Sequence, residues 1–151
     1  LRVEKIDITS ADTVFAATES AFATAGQIDI LINNAGISRF APIDADDYED
    51  QWAISMEVLL TAHTRTIRAA LPYLRQSDAA RIVNIASTEG WGATKFGSPY
   101  TAAKHGVIGL TKSLAVFPKL VPATKATLCS SSANFANSSP ESPVLETLGK
   151  A

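Results

Sequence analysis

The sequence predicts an α/β fold built on an open sheet of parallel strands with helices packed against it. Three short apolar segments alternate along the chain with three segments whose apolar residues recur at intervals of three and four. Strict alternation of strand and helix favours parallel strands joined by helical crossovers. The chain has 151 residues, of which 46% are hydrophobic and 19% charged, and this suits one globular domain with a sizeable core.

Val3, Ile6 and Ile8 form a short apolar segment that predicts the first strand, which ends at Asp7, and the side chains at residues 9–12 carry oxygens suited to cap a helix. We expect the first helix to begin near Ser10 or Ala11 and to end at Gly26, which tolerates the backbone of a helix end. The compact apolar run at residues 28–32 then predicts a buried strand.

A long helix and a further strand and helix complete the predicted pattern. The long helix follows the polar residues 44–50, and its apolar stripe consists of Met56, Leu60, His63, Ile67, Ala70 and Leu74. Residues 82–86 predict the third strand, which precedes a glycine-rich loop. The last helix is expected from about Ser98 to Val116.

Residues 118–151 lose this periodicity. They hold four of the seven prolines and a run of three serines at positions 130–132. Such composition is typical of irregular chain. We therefore expect one domain over residues 1–117, followed by a Ser/Pro-rich tail that is irregular or disordered.

Charge and cysteine content narrow the functional classes. The 13 basic and 15 acidic side chains give a net charge of −2, which argues against nucleic acid and anionic membranes as partners. No apolar run approaches the roughly eighteen residues of a spanning helix, and residues 1–5 lack the apolar stretch of a signal peptide. The single cysteine, Cys129, excludes an internal disulfide and a multi-cysteine metal site. These features predict a cytoplasmic protein without a metal.

Tyr100 and Lys104 form the strongest chemical signal. They lie four residues apart on the last predicted helix, so both side chains share one face, one turn from each other. A neighbouring ammonium favours the phenolate, and such a pair suits proton transfer. A packed tyrosine beside a solvated lysine is the alternative interpretation of the pair alone. Ser87 ends the preceding strand, and the sequence Asn-Asn-Ala-Gly at positions 33–36 ends the strand before it.

These motifs and their spacing resemble the short-chain dehydrogenase/reductase family over about residues 3–115. The resemblance implies a partial Rossmann-like fold, a doubly wound parallel sheet in three α/β/α layers. It also implies an NAD(P)-dependent oxidoreductase, similar to 3-oxoacyl-carrier-protein reductases, that moves hydride between the nicotinamide and a ketone or secondary alcohol. The sequence does not decide between NAD and NADP.

The resemblance further implies roles for individual residues. Tyr100 would exchange a proton with the substrate oxygen, Lys104 would favour the phenolate and bind the nicotinamide ribose, and Ser87 would hold the same substrate oxygen. The other residues with an implied place at the cofactor are Asp7, beside the adenine, and Asn33, Ala35 and Gly36, along the cleft.

Three aromatic residues in loops are expected either to face an apolar part of the substrate or to close the core. They are Phe40, Trp91 and Phe96. The first interpretation adds Trp91 and Phe96 to Ser87 as substrate residues.

Three departures from the family pattern accompany the resemblance. The glycine-rich turn for the pyrophosphate and the first and last strands are lacking, which predicts an N-terminally incomplete chain with an atypical C-terminus. Leu59 stands where many members carry a relay asparagine, and His63, one turn later, is a candidate replacement or a packed histidine. His105 is expected on the helix surface.

Two alternatives stay open at this stage. The chain is either an active reductase or a catalytically inactive fragment that associates through its long helices as a homodimer or homotetramer. An extended-type epimerase or dehydratase also uses tyrosine and lysine at this spacing, although the Asn-Asn-Ala-Gly sequence disfavours it.

Overall fold

The computed structural model describes residues 3–117 and 126–129 of the chain. The helices and strands in this part follow in the order α1 (Ala11–Ala25), β1 (Ile30–Asn33), α2 (Tyr48–Met56), α3 (Ala62–Leu74), β2 (Arg81–Ile85), α4 (Ser98–Ala115) and β3 (Ala126–Cys129). A π-helical turn, Glu57–Thr61, joins α2 to α3, and a 3-10 turn, Thr88–Gly90, follows β2.

The strands form one parallel sheet in the order β1-β2-β3. Ile30 pairs with Arg81 at the start of β1, and Asn33 pairs with Asn84 at its end. The carboxyl ends of β1 and β2 therefore lie side by side at one edge of the sheet. The predicted parallel α/β fold is confirmed.

Helix α1 has the ends that the sequence predicts. Ser10 is the N-terminal cap, and its hydroxyl accepts a hydrogen bond from the Thr13 amide at 3.4 Å. Gly26 closes the helix with a φ of 75°, and its amide donates to the Phe22 carbonyl at 2.7 Å. A glycine adopts this left-handed backbone without the steric cost of a Cβ atom.

The core lies between the sheet and the pair of helices α3 and α4. Ile67 and Leu74 of α3 pack with Ile82 of β2, and all three are buried. The opposite face of the sheet has no helix against it in the described ranges, and Ile30 and Ile32 on that face are 57% and 60% exposed. The described residues thus form two layers of the partial three-layer α/β/α fold that the resemblance implies.

Two further differences concern the ends of the sheet. Residues 3–7 form no strand, because a strand needs a neighbour for its backbone hydrogen bonds and none of the described strands pairs with them. Conversely, β3 lies within the tail predicted to be irregular, where it pairs with the outer edge of β2. The remaining residues of the predicted tail, 118–125 and 130–151, lie outside the described part of the chain.

The predicted long helix is interrupted. The π-helical turn Glu57–Thr61 contains the fully buried Leu59 and also Leu60, which approaches α4 at Gly106. A π turn inserts one residue into a helix and shifts the face that its side chains present, and the periodic stripe alone does not reveal this. Across the described residues, none of the helices is both long and apolar enough to cross a lipid bilayer.

Candidate active site

Helix α4 carries Tyr100 and Lys104 on one face. The Lys104 ammonium nitrogen lies 5.7 Å from the centre of the Tyr100 ring. Lys104 is 5% exposed, and its Nζ donates a hydrogen bond to the Ile85 carbonyl at 2.9 Å. Burial lowers the pKa of Lys104, because the charged ammonium loses water, so the carbonyl contact compensates only part of this cost. The last residue of β2 is thereby tied to the face of α4 that carries the tyrosine.

Ser87 lies two residues beyond the end of β2. It is buried, and its Oγ accepts a hydrogen bond from the Glu89 amide at 3.2 Å, which caps the 3-10 turn. A hydroxyl that accepts one bond still has its own hydrogen to donate. The strand end thus presents a fixed donor close to the part of α4 that Lys104 joins to β2.

A buried chain of hydrogen bonds crosses the sheet below these residues. Thr66 of α3 donates to Asn33 Oδ1 at 2.6 Å, and Asn33 Nδ2 donates to Asn84 Oδ1 at 2.8 Å. Asn84 Nδ2 then donates to Thr111 Oγ1 of α4 at 3.0 Å. Four side chains from α3, β1, β2 and α4 are joined in this way, which fixes the strand ends relative to both helices.

The loop after β1 lies against the π-helical turn. Asn34, Ala35 and Gly36 are exposed, and a Cβ atom on Gly36 would lie 3.4 Å from Leu59 Cδ2. Leu59 is fully buried. His63 is 3% exposed, and its Nε2 has no hydrogen-bond partner among the described residues. Burial, and to a smaller extent the charge of Lys104, lower the pKa of His63 to about 4, so the imidazole is neutral at pH 7.

Asp7 lies across a trough from the other predicted cofactor residues. This trough has a volume of about 690 Å³ and is lined by Ile6 and Ile8 on one side and by β1 on the other. Asp7 Oδ1 accepts hydrogen bonds from the Thr9 hydroxyl at 2.7 Å and the Thr9 amide at 2.9 Å, and these lower the pKa of Asp7. Asn33 and Ala35 line the same trough as Ile6 and Ile8, which flank Asp7 in the sequence.

Two of the three loop aromatics, Phe40 and Phe96, lie on loops that contact each other, and Trp91 lies beside another part of α4. Phe40 stacks on Tyr100, with ring centres 6.2 Å apart. Phe96 is half exposed, and its carbonyl accepts a hydrogen bond from the Ala41 amide at 2.9 Å. Trp91 lies by Lys112, whose Nζ is 5.0 Å from the ring centre. Lys112 lies in the last turn of α4, whereas Tyr100 lies in the first turn of that helix.

Two residues near the site escape the sequence analysis. Asn84 interrupts an apolar strand, and a polar residue in a buried strand is a recognisable signal for a hydrogen-bonded core position. Glu89 follows Ser87 by two positions and has no signal in the sequence, because its partners lie five and twelve residues away. In the two described ranges, no three His, Cys, Asp or Glu side chains form a group that could hold a metal ion.

Comparison with known proteins gives consistent results. Residues 2–117 match the family described as short chain dehydrogenase. The chain is 41% identical over 104 residues to a D-beta-hydroxybutyrate dehydrogenase of Cupriavidus necator, with 69% of this chain and 40% of that protein covered. It is 42% identical over 118 residues to a hydroxy-methyl-oxo-hexahydro-indene-carboxyl-CoA reductase of Mycobacterium tuberculosis, with 76% and 45% covered.

A solved structure is also similar. It is a metagenomic short-chain oxidoreductase in complex with NADP, with a TM-score of 0.77 and 28% identity, and the match covers 85% of this chain and 58% of that one. The chain thus spans less than half the length of the two curated relatives it matches.

Proposed function

Because the chain belongs to the short chain dehydrogenase family, we propose that its site transfers hydride between a nicotinamide dinucleotide and a ketone or secondary alcohol. The observation that carries this proposal is the joint position of three groups at the end of β2. Lys104 Nζ donates to the Ile85 carbonyl and lies 5.7 Å from the centre of the Tyr100 ring. Ser87 follows Ile85 by two residues.

Each of the three groups has a task in this proposal. In ketone reduction, the Tyr100 hydroxyl donates its proton to the substrate oxygen as that oxygen gains negative charge. The Lys104 ammonium favours the phenolate left behind. The Ser87 hydroxyl donates a hydrogen bond to the same oxygen, because its hydrogen stays available while its Oγ accepts from the Glu89 amide. In alcohol oxidation the proton moves in the opposite direction.

The described residues suit one half of the cofactor. The Lys104 ammonium has three hydrogens, of which Ile85 receives one, so donors remain for the hydroxyls of a ribose. Asn34, Ala35 and Gly36 form an exposed loop beside the trough. When bound, the nicotinamide supplies or accepts the hydride.

We propose a short 3-oxo compound as the substrate class. Support comes from the D-beta-hydroxybutyrate dehydrogenase relative, whose name describes the oxidation of a 3-hydroxy acid. Further support comes from Phe40, which stacks on Tyr100 and offers an apolar wall for a short carbon chain. Acetoacetate and an acetoacetyl thioester are the substrates to test first, each with NADH and with NADPH.

Replacement of the tyrosine tests the reaction. Tyr100→Phe keeps the ring and its stacking but removes the proton, so we expect kcat for ketone reduction to fall by about 10²-fold or more. Tyr73→Phe is the matched control, because Tyr73 stacks on Phe22 of α1 and should leave kcat unchanged. Initial rates of NAD(P)H oxidation give the comparison, and far-UV circular dichroism verifies the fold. A Tyr100→Phe variant with full activity would contradict the proposed role.

Cofactor binding is measured first. Titration with NADH and NADPH, followed by nucleotide fluorescence, should give saturable binding, and the tighter nucleotide defines the preference. No binding to a folded chain would favour the inactive-fragment alternative.

Association through the long helices remains a prediction. Helices α2 and α4 contact each other in the described chain and leave Ile54 of α2 partly exposed. Size-exclusion chromatography with light scattering should give the mass of a dimer or tetramer, and a clean monomer would contradict this prediction.

A further inference from the structure

The loop between β2 and α4 is held by one carboxylate. Glu89 Oε2 accepts hydrogen bonds from the Thr94 amide at 3.0 Å and from the Thr101 hydroxyl at 2.5 Å. Its Oε1 accepts from the Thr94 hydroxyl at 2.5 Å. An ionised carboxylate only accepts hydrogen bonds, so three donors aimed at it from two segments form a complete binding arrangement.

These contacts connect the two sides of the candidate active site. The Glu89 amide donates to Ser87 Oγ at 3.2 Å, and the Glu89 carboxylate holds Thr101, the residue next to Tyr100. The turn itself lies tightly against α4, because a Cβ atom on Gly90 would lie 3.0 Å from the Lys104 carbonyl oxygen. One residue therefore joins the serine hydroxyl to the first turns of the helix that carries the tyrosine.

The charge of Glu89 suits this arrangement. Partial burial acts to raise its pKa, but the hydrogen bonds from Thr101 and Thr94, assisted by the charge of His105, lower the pKa overall. The side chain is therefore ionised at neutral pH, and charge-assisted hydrogen bonds of this type are stronger than neutral ones.

The loop also contains a backbone conformation that needs support. Phe96 has a φ of 64°, in the left-handed region that a side chain with a Cβ atom seldom adopts. Lys95, which directly precedes Phe96, is exposed. Such a conformation persists when surrounding contacts fix it, and the Thr94 contacts with Glu89 lie two residues away.

We propose that Glu89 is a positioning residue, which clamps the loop at residues 88–97 to α4 and thereby fixes the Ser87 hydroxyl relative to Tyr100. The catalytic meaning of this clamp depends on the proposed function. The clamp itself depends only on the contacts of Glu89.

Tryptic cleavage after Lys95 tests the clamp without any need for activity. Glu89→Gln keeps the size of the side chain but replaces one of the two acceptor oxygens with an amide group that donates, and Glu89→Ala removes all three hydrogen bonds. We expect cleavage after Lys95 to be about tenfold faster or more in Glu89→Ala and intermediate in Glu89→Gln. Glu19→Gln is the control, since it removes the same charge from an exposed position on α1. Equal cleavage rates in all four proteins would overturn the proposal.

A second variant guards against unfolding of Glu89→Ala. Thr101→Val keeps the carboxylate and removes only the donor on α4, so it should also accelerate cleavage after Lys95. Circular dichroism establishes that each variant is folded. A folded Thr101→Val and a folded Glu89→Gln that are both cleaved at the unaltered rate would overturn the clamp.

Kinetics separate positioning from loop rigidity. With acetoacetate, Glu89→Gln should lower kcat far more than it changes the dissociation constant for NADH or NADPH, because Lys104 keeps its own hydrogen bond to the Ile85 carbonyl. Faster cleavage with an unchanged kcat would overturn the positioning of Ser87. If the unaltered chain turns over no ketone, the proposed function fails, and the cleavage comparison still decides whether the clamp exists.

Discussion

His63 illustrates how one buried side chain affects this molecule. It is nearly inaccessible, its Nε2 is unpartnered among the described residues, and its pKa is lowered to about 4. In the unfolded chain the same imidazole titrates near 6.5. As the pH falls below that value, the unfolded state therefore takes up a proton that the folded state does not bind until about pH 4.

His63→Leu should remove this dependence on pH. We expect the free energy of unfolding of the unaltered chain to fall by about 2 kcal/mol between pH 7 and pH 5 through this residue. His63→Leu lacks the ionisable group and should lose correspondingly less over the same interval. Urea unfolding at the two pH values measures the difference, and parallel behaviour of the two proteins would show that His63 is accessible to protons in the folded state.

Asn84 is the centre of the hydrogen-bonded chain across the sheet, and its replacement should be costly. Asn84→Leu leaves the Asn33 amide and the Thr111 hydroxyl without their partner, so we expect the free energy of unfolding to fall by about 2 to 4 kcal/mol. Asn34→Leu makes the same chemical change at an exposed loop position and should have little effect. Chemical denaturation measures both variants, and similar losses for the two would contradict the buried chain.

The chemical residues could be predicted because their types and spacing are informative. Tyr100 and Lys104 are one helical turn apart, and Ser87 ends a strand, so the sequence alone brings them to one region. The position of Trp91 could not be predicted, because a loop without a periodic pattern leaves the direction of its side chain open. The Glu89 contacts depend on the folded path of the same loop.

The 3-10 turn and α4 are packed at a distance that only glycine allows. A Cβ atom on Gly90 would lie 2.5 Å from Ile108 Cδ1 and 3.0 Å from the Lys104 carbonyl oxygen. The isoleucine side chain can move, but the carbonyl belongs to the helix backbone. The turn must therefore shift if residue 90 gains a side chain.

Gly90→Ala and Gly109→Ala should act in opposite directions. We expect Gly90→Ala to lower the free energy of unfolding by about 1 to 3 kcal/mol because of this overlap. Gly109 lies on α4 with open space around it. Gly109→Ala should therefore raise the free energy of unfolding by about 0.5 to 1 kcal/mol through better helix propensity. Thermal unfolding followed by circular dichroism compares the two, and destabilisation by Gly109→Ala would contradict the open space.

Helices with clear end signals were easier to predict than strands. Ser10 and Gly26 fix the ends of α1 through local hydrogen bonds, which adjacent residues reveal. Strand β3 depends instead on β2, a partner distant in sequence, and its own residues show no periodic pattern. The segment around Val3 and Ile6 demonstrates the converse, since apolar residues without a paired neighbouring strand do not form a strand.

At the scale of the whole molecule, helices cover one face of the sheet in the described residues and leave the other face exposed. Ile32 points to the uncovered face, whereas Leu31, next to it, packs against the buried cluster around Ile67 and Leu74. Alternate residues of a strand point to opposite faces, so these neighbours have opposite environments.

A pair of lysine substitutions tests the two-layer arrangement. Ile32→Lys should leave the circular dichroism spectrum unchanged and reduce the fluorescence of a dye that binds exposed apolar surface. Leu31→Lys inserts a charge into the core and should unfold the protein or cost several kcal/mol. If the two variants are equally destabilised, both faces of β1 are covered in solution.

The parallel register of the sheet has a consequence for how the chain folds. Asn33 and Asn84 are 51 residues apart, and no two paired strands are joined by a tight turn. Loops of this length lose much conformational entropy before the first inter-strand contact repays it. Helices α1 and α3 can form early from local contacts, whereas the strands form only when segments distant in sequence meet. Refolding should therefore be slow, and its rate should be limited by the meeting of β1 with β2.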